Sequence, residues 1–196
     1  MKKFDHIFAK SADKKGNPGT TLIEHLEHVA CMAEVFAIHL GLDQRIARIG
    51  AILHDIGKAS PVFQERLLTS YKKPTDGYEP YRHEIGSLLF LHLVEEKIRP
   101  EVIDMVVSHH KSMLGDKGKK GLLDLYLDSK DVFELHAKHW DDWQDDVLGI
   151  LHYFGWNVRA ISLQEARETL EEVIEYCRDK GIGWSIWKGL LEGADH

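Results

Sequence analysis

Apolar residues recur every three to four positions along most of the chain, and this spacing limits the fold to a packing of helices. The first such run contains Leu22, Leu26 and Val29, and Gly41 closes it. A period near 3.6 residues places these side chains on one helix face. No segment alternates apolar and polar residues in the way that a half-buried strand requires. The sequence therefore predicts an all-α fold.

Cap and turn residues divide this pattern into separate helices. Asp43 is suited to the N-cap of the second helix, and Pro61 to the first turn of the third. Prolines and a glycine mark residues 71–82 as a loop, while three glycines and four lysines mark 111–121 as a basic loop. The helices predicted in this way cover residues 21–40, 43–57, 61–69, 83–97, 100–110, 122–128, 130–139, 141–154, 163–180 and 184–196.

Composition sets the broad class. A chain of 196 residues with 43% apolar content can bury one core, so we expect a single domain over residues 1–196. The net charge of -7 gives no general attraction to polyanions, so nucleic-acid contacts would need local cations or bound metal. Cys31 and Cys177 lack the spacing of a thiolate metal site. With neither a signal-peptide core nor an apolar run near the roughly 18 residues of a membrane span, we expect a cytoplasmic protein without membrane contacts.

The positions of the thirteen histidines carry more information than their number. A single histidine on an apolar helix face is most often an ordinary hydrogen-bonded residue. His25 lies on the apolar stripe of the first helix, so it points toward the core and needs a polar partner. His54 and Asp55 end a buried helix, where an unpaired carboxylate would cost several kcal/mol. His83, His109 and His110 also lie at the ends of predicted helices.

This combination of side chains favours a metal centre. Imidazoles with one or two carboxylates suit manganese, iron, cobalt or nickel, and also zinc, better than magnesium or calcium. A carboxylate can bridge two such ions, and a water between them becomes a nucleophile near neutral pH. Lys58 lies one turn beyond His54 and adds a cation. The residues therefore indicate phosphoester hydrolysis with two divalent transition metal ions.

Seven short segments follow one another along the chain: Ala9-Lys10-Ser11, Leu22-Ile-Glu-His25-Leu, Leu53-His-Asp-Ile-Gly-Lys58-Ala, Phe63-Gln64, His83-Glu84, Ser108-His-His110 and Gly189-Leu-Leu-Glu-Gly-Ala-Asp195. The order of their histidines and aspartates resembles the HD superfamily of metal phosphohydrolases. The residues around them are similar to the HD nuclease domain of the CRISPR-associated nuclease-helicase of type I systems, over essentially the whole chain. That resemblance implies an HD-domain helical bundle and a closing aspartate on a late helix, which Asp195 matches.

The resemblance also implies roles for these residues. Asp55 would bridge two metal ions, and His54 and Lys58 would join it in catalysis, with Lys58 stabilising charge on the phosphate or orienting the attacking water. The first metal would be held by His25, His54, Asp55 and Asp195, and the second by Asp55, His83, His109 and His110.

The implied function is hydrolysis of single-stranded DNA in type I CRISPR interference. The implied partners are a helicase domain or subunit and an RNA-guided surveillance complex. No phosphate-binding helicase motif occurs here, so the chain is expected to be a stand-alone nuclease or the N-terminal part of a longer nuclease-helicase. A protein that keeps the helical frame only to dock partners is disfavoured, because so many converging polar groups would destabilise a core without metal.

Several alternatives stay open at this level. An HD phosphohydrolase acting on nucleotides or cyclic dinucleotides is the second candidate, although the Gly-Tyr-Pro signature of the cyclic-dinucleotide branch is absent. The lysines of 111–121 would either grip a DNA backbone or lie in a solvated loop. His28 and Glu84 would either support the ligands or face solvent. Trp184 and Trp187 fit the core better than a base-stacking platform, and His136, His139 and His152 fit no ligand pattern.

Overall fold

The computed structural model describes residues 4–12, 19–68, 70–72, 81–108, 122–123, 132–180 and 185–196. Helices dominate these residues, and no strand occurs among them beyond an isolated bridge between Phe8 and Thr21. The predicted all-α class is therefore confirmed. The helices are α1 (Leu22–Leu40), α2 (Gln44–Leu53), α3 (Pro61–Arg66), α4 (His83–Leu88), α5 (Arg99–Ser108), α6 (Val132–His136), α7 (Trp140–Tyr153), α8 (Leu163–Lys180) and α9 (Ile186–Asp195).

Helix α1 has both of its ends fixed by local chemistry. Thr21 and Glu24 form a capping box that satisfies backbone donors at the first turn. Gly41 closes the helix at a φ of 68°, a left-handed conformation that glycine adopts without a steric penalty. The N-terminal segment is tied to this helix, since Leu22 N–H donates to Ile7 O. The observed bounds agree with the predicted helix 21–40.

Helix α2 ends at Leu53, earlier than the predicted end at residue 57. Asp43 caps it as expected, because its side chain accepts from two backbone N–H groups. Asp55 then leaves the helical region, with φ -117° and ψ 4°, and a 3-10 turn follows over Ile56–Ala59. The apolar periodicity continued across this break because the helix and the turn bury side chains in the same core.

The predicted helix 83–97 is also broken. Helix α4 stops at Leu88, and two 3-10 turns, Leu91–Leu93 and Glu96–Ile98, follow it. The side chains of residues 88–91 are all fully buried. A run that is apolar on every side carries no periodicity from which to place a helix end.

The helices pack around one core that brings polar residues of α1, α9 and the end of α2 together. Helix α1 packs on α2 and α9, and α5 packs on α2, α4 and α9. An aromatic group lies within this core, where Phe90 stacks on Trp140 with a centroid distance of 5.0 Å and meets Trp143 edge-on at 5.3 Å. Trp187 packs against the core as predicted, and Trp184 lies outside the described residues. None of the described helices has the length and apolar character needed to cross a membrane.

Candidate metal centre

Two imidazoles and two carboxylates from three helices converge at one point. His25 comes from α1, His54 and Asp55 follow the last turn of α2, and Asp195 ends α9. One ligand atom from each of the four lies within 4.8 Å of all the others. His25 Nε2 is 2.8 Å from Asp55 Oδ2 and 3.4 Å from Asp195 Oδ1. The structure thus brings together the four side chains that the sequence assigned to the first metal.

A backbone carbonyl orients the ring of His54. Its Nδ1 lies 2.6 Å from Ala51 O, and a carbonyl can only accept, so Nδ1 carries a proton. The Nε2 atom therefore points at the carboxylates, 3.2 Å from Asp55 Oδ2 and 3.8 Å from Asp195 Oδ1. Metal-binding histidines are typically fixed in this way, with the other ring nitrogen donating to a carbonyl or carboxylate.

The two oxygens of Asp55 face different groups. Oδ2 faces His25 and His54, and Lys58 Nζ lies 2.5 Å from it. Oδ1 lies 3.0 Å from His83 Nε2, on the first residue of α4. This division is the arrangement that a bridging carboxylate requires. His109 and His110, assigned to the second metal, lie outside the described residues, so His83 and Asp55 are the members of that set whose placement is known.

The centre is buried apart from a small exposed area on two of its side chains. The side chains of His54 and Asp55 are fully buried, whereas those of Asp195 and His83 are 12% and 13% exposed. Lys58 is also nearly buried, and its ammonium lies 5.8 Å from the centroid of the Phe63 ring.

Burial and neighbouring charges shift the pKa values of several side chains in the centre. Burial alone would lower the pKa of His54, but the neighbouring carboxylates of Asp55 and Asp195 raise it to about 9. The hydrogen bond with His54 holds the pKa of Asp195 well below its usual range. Burial lowers the pKa of His83 despite the Asp55 carboxylate beside it. At neutral pH the metal-free centre therefore holds a protonated His54 and a neutral His83.

Metal binding is consequently expected to displace a proton from His54. Because only the deprotonated Nε2 can bind a cation, the affinity for Mn²⁺ should rise about tenfold per pH unit from pH 7 to about 9 and level off above it. Isothermal titration calorimetry in buffers of different ionisation enthalpy would measure the protons released. An affinity that stays constant between pH 7 and 9 would contradict a protonated His54.

The centre also rests on residues that the sequence did not single out. Ser87 Oγ accepts from Gly57 N–H and donates to His54 O, and Tyr81 OH donates to Gly57 O. Glu84, by contrast, is a residue that the sequence did mark: it is buried and lies beside Arg82 Nε at 2.6 Å, so the solvent-facing alternative for Glu84 is wrong. Hydroxyl and backbone contacts of this kind have no spacing rule, so nothing in the sequence pattern marked them.

The remaining candidate residues have different outcomes. His28 is exposed on α1, in agreement with the surface alternative. The lysine loop 111–121 lies outside the described residues. The Ala9 and Gln64 motifs serve the fold: Gln64 Nε2 donates to Phe8 O and Lys58 O, which ties the N-terminal segment to the 3-10 turn.

The donor set fits a divalent transition ion. Two imidazole nitrogens and two carboxylate oxygens on one small cluster match the ligands that such ions take in proteins. A cation there would also offset the buried carboxylate of Asp55 and the partly buried one of Asp195. The residues present are therefore able to hold the metal that this chemistry needs, and the identity of the ion stays a prediction.

Comparison with known proteins gives a family match over most of the chain. A family model described as HD domain matches residues 22–176. Ribonuclease Y of Treponema pallidum (strain Nichols) is 30% identical over 95 residues, 48% of this chain and 16% of that protein. Ribonuclease Y of Chlorobium phaeobacteroides (strain DSM 266 / SMG 266 / 2430) is 31% identical over 117 residues, 60% of this chain and 18% of that protein. The similarity thus spans less than a fifth of either relative. No solved structure matches the chain with significance.

Proposed function

The chain belongs to the HD domain family, and from that premise we propose that it is a nuclease that hydrolyses phosphodiester bonds of single-stranded nucleic acid. Metal-dependent phosphohydrolysis is the chemistry of this family. The observation that carries the proposal is the cluster of His25, His54, Asp55 and Asp195, with Lys58 Nζ beside the Asp55 carboxylate. A metal centre with an adjacent buried cation is suited to a substrate whose reacting group is an anion.

The side chains divide the work of the reaction. Two divalent cations held by the predicted ligand sets would supply the positive charge that polarises a phosphodiester and makes a water more acidic. Asp55 offers one oxygen to each half of the centre, and His54 keeps its Nε2 directed inward through the bond to Ala51 O. Lys58 places an ammonium where charge would develop on the phosphate oxygens.

Single-stranded DNA is the substrate that we propose first. The support is the ordered motif set, which includes the late aspartate, Asp195, now placed 3.4 Å from His25. With that substrate, the proposed partners are a helicase domain or subunit and an RNA-guided surveillance complex, and the proposed role is type I CRISPR interference. The acidic composition agrees with a substrate that is delivered by partners rather than captured by a basic surface.

RNA is the second candidate, and the relatives favour it. Both of the relatives described above are named Ribonuclease Y, and each is similar to this chain over less than a fifth of its own length. Hydrolysis of nucleotides or cyclic dinucleotides is a third outcome that the same centre would permit. The three substrates share the phosphoester chemistry and differ in what must be bound beside the centre.

One experiment separates these substrates. Purified protein loaded with Mn²⁺ is incubated with circular single-stranded DNA, with circular RNA of the same sequence, and with a panel of nucleotides and cyclic dinucleotides. We expect cleavage of the DNA circle, no comparable rate on RNA, and loss of the activity after chelation. Faster cleavage of RNA would replace the DNA assignment, and products only from the small-molecule panel would overturn the nuclease proposal.

A matched pair of variants ties the activity to this centre. His25→Ala removes a buried donor at the cluster, whereas His28→Ala removes an exposed imidazole one turn away on the same helix. Cleavage should be lost in the first and retained in the second. Equal rates in both would show that a contaminating nuclease produced the cleavage.

A further inference from the structure

A histidine outside the metal centre, His136 on α6, is fully engaged in a buried contact with the start of α4. Its Nδ1 lies 2.6 Å from Val132 O and therefore carries the proton. Its Nε2 is then an acceptor, and the backbone N–H of Arg82 donates to it at 3.0 Å. His136 is 2% exposed. Burial lowers the pKa of His136 to about 4, so the ring stays neutral and Nε2 keeps its lone pair at neutral pH.

Arg82, whose backbone N–H binds His136, directly precedes the predicted metal ligand His83. Arg82 is the N-cap of α4 and its side chain makes no capping hydrogen bond, while His83 is the first residue of the helix. Helix α4 packs on the 3-10 turn after Asp55 and on α5, and the bond from Arg82 N–H to His136 adds a fixed point directly before its first residue. The position of the Arg82 backbone therefore sets where the His83 imidazole meets Asp55 Oδ1.

Tyr81 connects the same histidine to the Asp55 side of the centre. Its ring stacks on His136 with a centroid distance of 4.9 Å, and its hydroxyl donates to Gly57 O at 2.7 Å. A Cβ at Gly86 would lie 2.1 Å from the Tyr81 hydroxyl, so only glycine leaves room for this contact. His136 and Tyr81 thus hold both the turn after Asp55 and the residue before His83.

We propose that His136 is a positioning residue that fixes His83 against Asp55 and thereby completes the His83 side of the metal centre. The proposal rests on the proposed metal-dependent function, but it concerns binding of the ion rather than the substrate. It assigns a role to a histidine that fits no ligand pattern in the sequence. A neighbour that orients a ligand in this way typically changes metal affinity by about 10- to 100-fold when it is removed.

The test is a double-mutant cycle read by Mn²⁺ binding to the whole chain, without substrate. Free Mn²⁺ is followed by electron paramagnetic resonance during titration of the native protein, H83A, H136F and H83A/H136F. H136F keeps a ring against Tyr81 but removes the acceptor for Arg82 N–H. H136Q restores an acceptor at a similar reach, and circular dichroism checks the fold of each variant.

We expect H136F to weaken the Mn²⁺ step that H83A also weakens, by about 10-fold or more, and to leave the other step within about threefold. H136Q should recover most of the affinity. When H83A is already present, H136F should have no further effect, because the ligand that it positions is absent. A general loss of stability could not produce this non-additivity.

Three results would overturn the proposal: an equal effect of H136F with and without H83A, native affinity in H136F, or native affinity in H83A. If H136F fails to fold, H136N takes its place in the cycle, since its shorter side chain cannot reach Arg82 N–H. The nuclease proposal fails separately: a protein that shows the expected cycle but cleaves no polynucleotide keeps His136 in its role and loses only the substrate assignment.

Discussion

Asp55→Asn is expected to reduce phosphodiester cleavage by about 1,000-fold or more, which corresponds to about 4 kcal/mol of lost transition-state stabilisation. Both oxygens of Asp55 are in use, one toward His25, His54 and Lys58 and the other toward His83. The amide keeps the shape of the carboxylate but removes its charge, so the first predicted ligand set keeps only Asp195 as an anionic ligand and the second set keeps none. Rates on the preferred polynucleotide in Mn²⁺ would measure the loss.

Asp145→Asn is the matched control, because it makes the same chemical change at an exposed position on α7. It should leave the cleavage rate within about twofold of native, as expected of a surface substitution. The number of Mn²⁺ ions bound should fall in Asp55→Asn and stay constant in Asp145→Asn. Native activity in Asp55→Asn would show that the Asp55 carboxylate is not needed for cleavage, and it would contradict the proposed bridging role.

Gly57→Ala should lower the free energy of unfolding by about 3 kcal/mol. The added Cβ would lie 2.1 Å from His83 O and 2.6 Å from Ser87 N. Both of these atoms belong to the backbone of α4, so relief requires the helix to move away from the turn. Urea unfolding of the metal-free protein would measure the change.

Gly189→Ala provides the control for this change. Gly189 lies within α9, and nothing lies within 4 Å of a Cβ built on it. The substitution should raise the free energy of unfolding by about 0.5–1 kcal/mol, since alanine favours a helix over glycine. The Gly57→Ala variant should in addition bind Mn²⁺ more weakly than Gly189→Ala, because moving α4 carries His83 away from Asp55. A free energy of unfolding of Gly57→Ala within about 0.5 kcal/mol of native would contradict the close packing of α4 on this turn.

The accuracy of the predicted helix bounds depends on how each helix is buried. Helix bounds were predicted well where one face is apolar and the other polar, as in α8, whose bounds match residues 163–180. The predicted bounds were wrong where the chain is buried on all sides. After Leu88 the apolar periodicity disappears, and after Leu53 it continues through the break in the helix. The apolar pattern of a segment indicates which side chains are buried. The end of a buried helix depends instead on the residues that pack against it.

The metal centre shows the same division. The sequence by itself determined the donor types and their order along the chain, and the resemblance to HD nucleases added Asp195, which lies far from the other candidate ligands in sequence. Only the tertiary structure decided that His25, His54, Asp55 and Asp195 share one point and that the oxygens of Asp55 face two sides. The tertiary structure also decided which residues support the centre. One example is His136, which accepts a hydrogen bond from Arg82 N–H although the two residues are 54 positions apart. The physical reason is that residue types are local properties, whereas distances across helices depend on how whole helix faces pack.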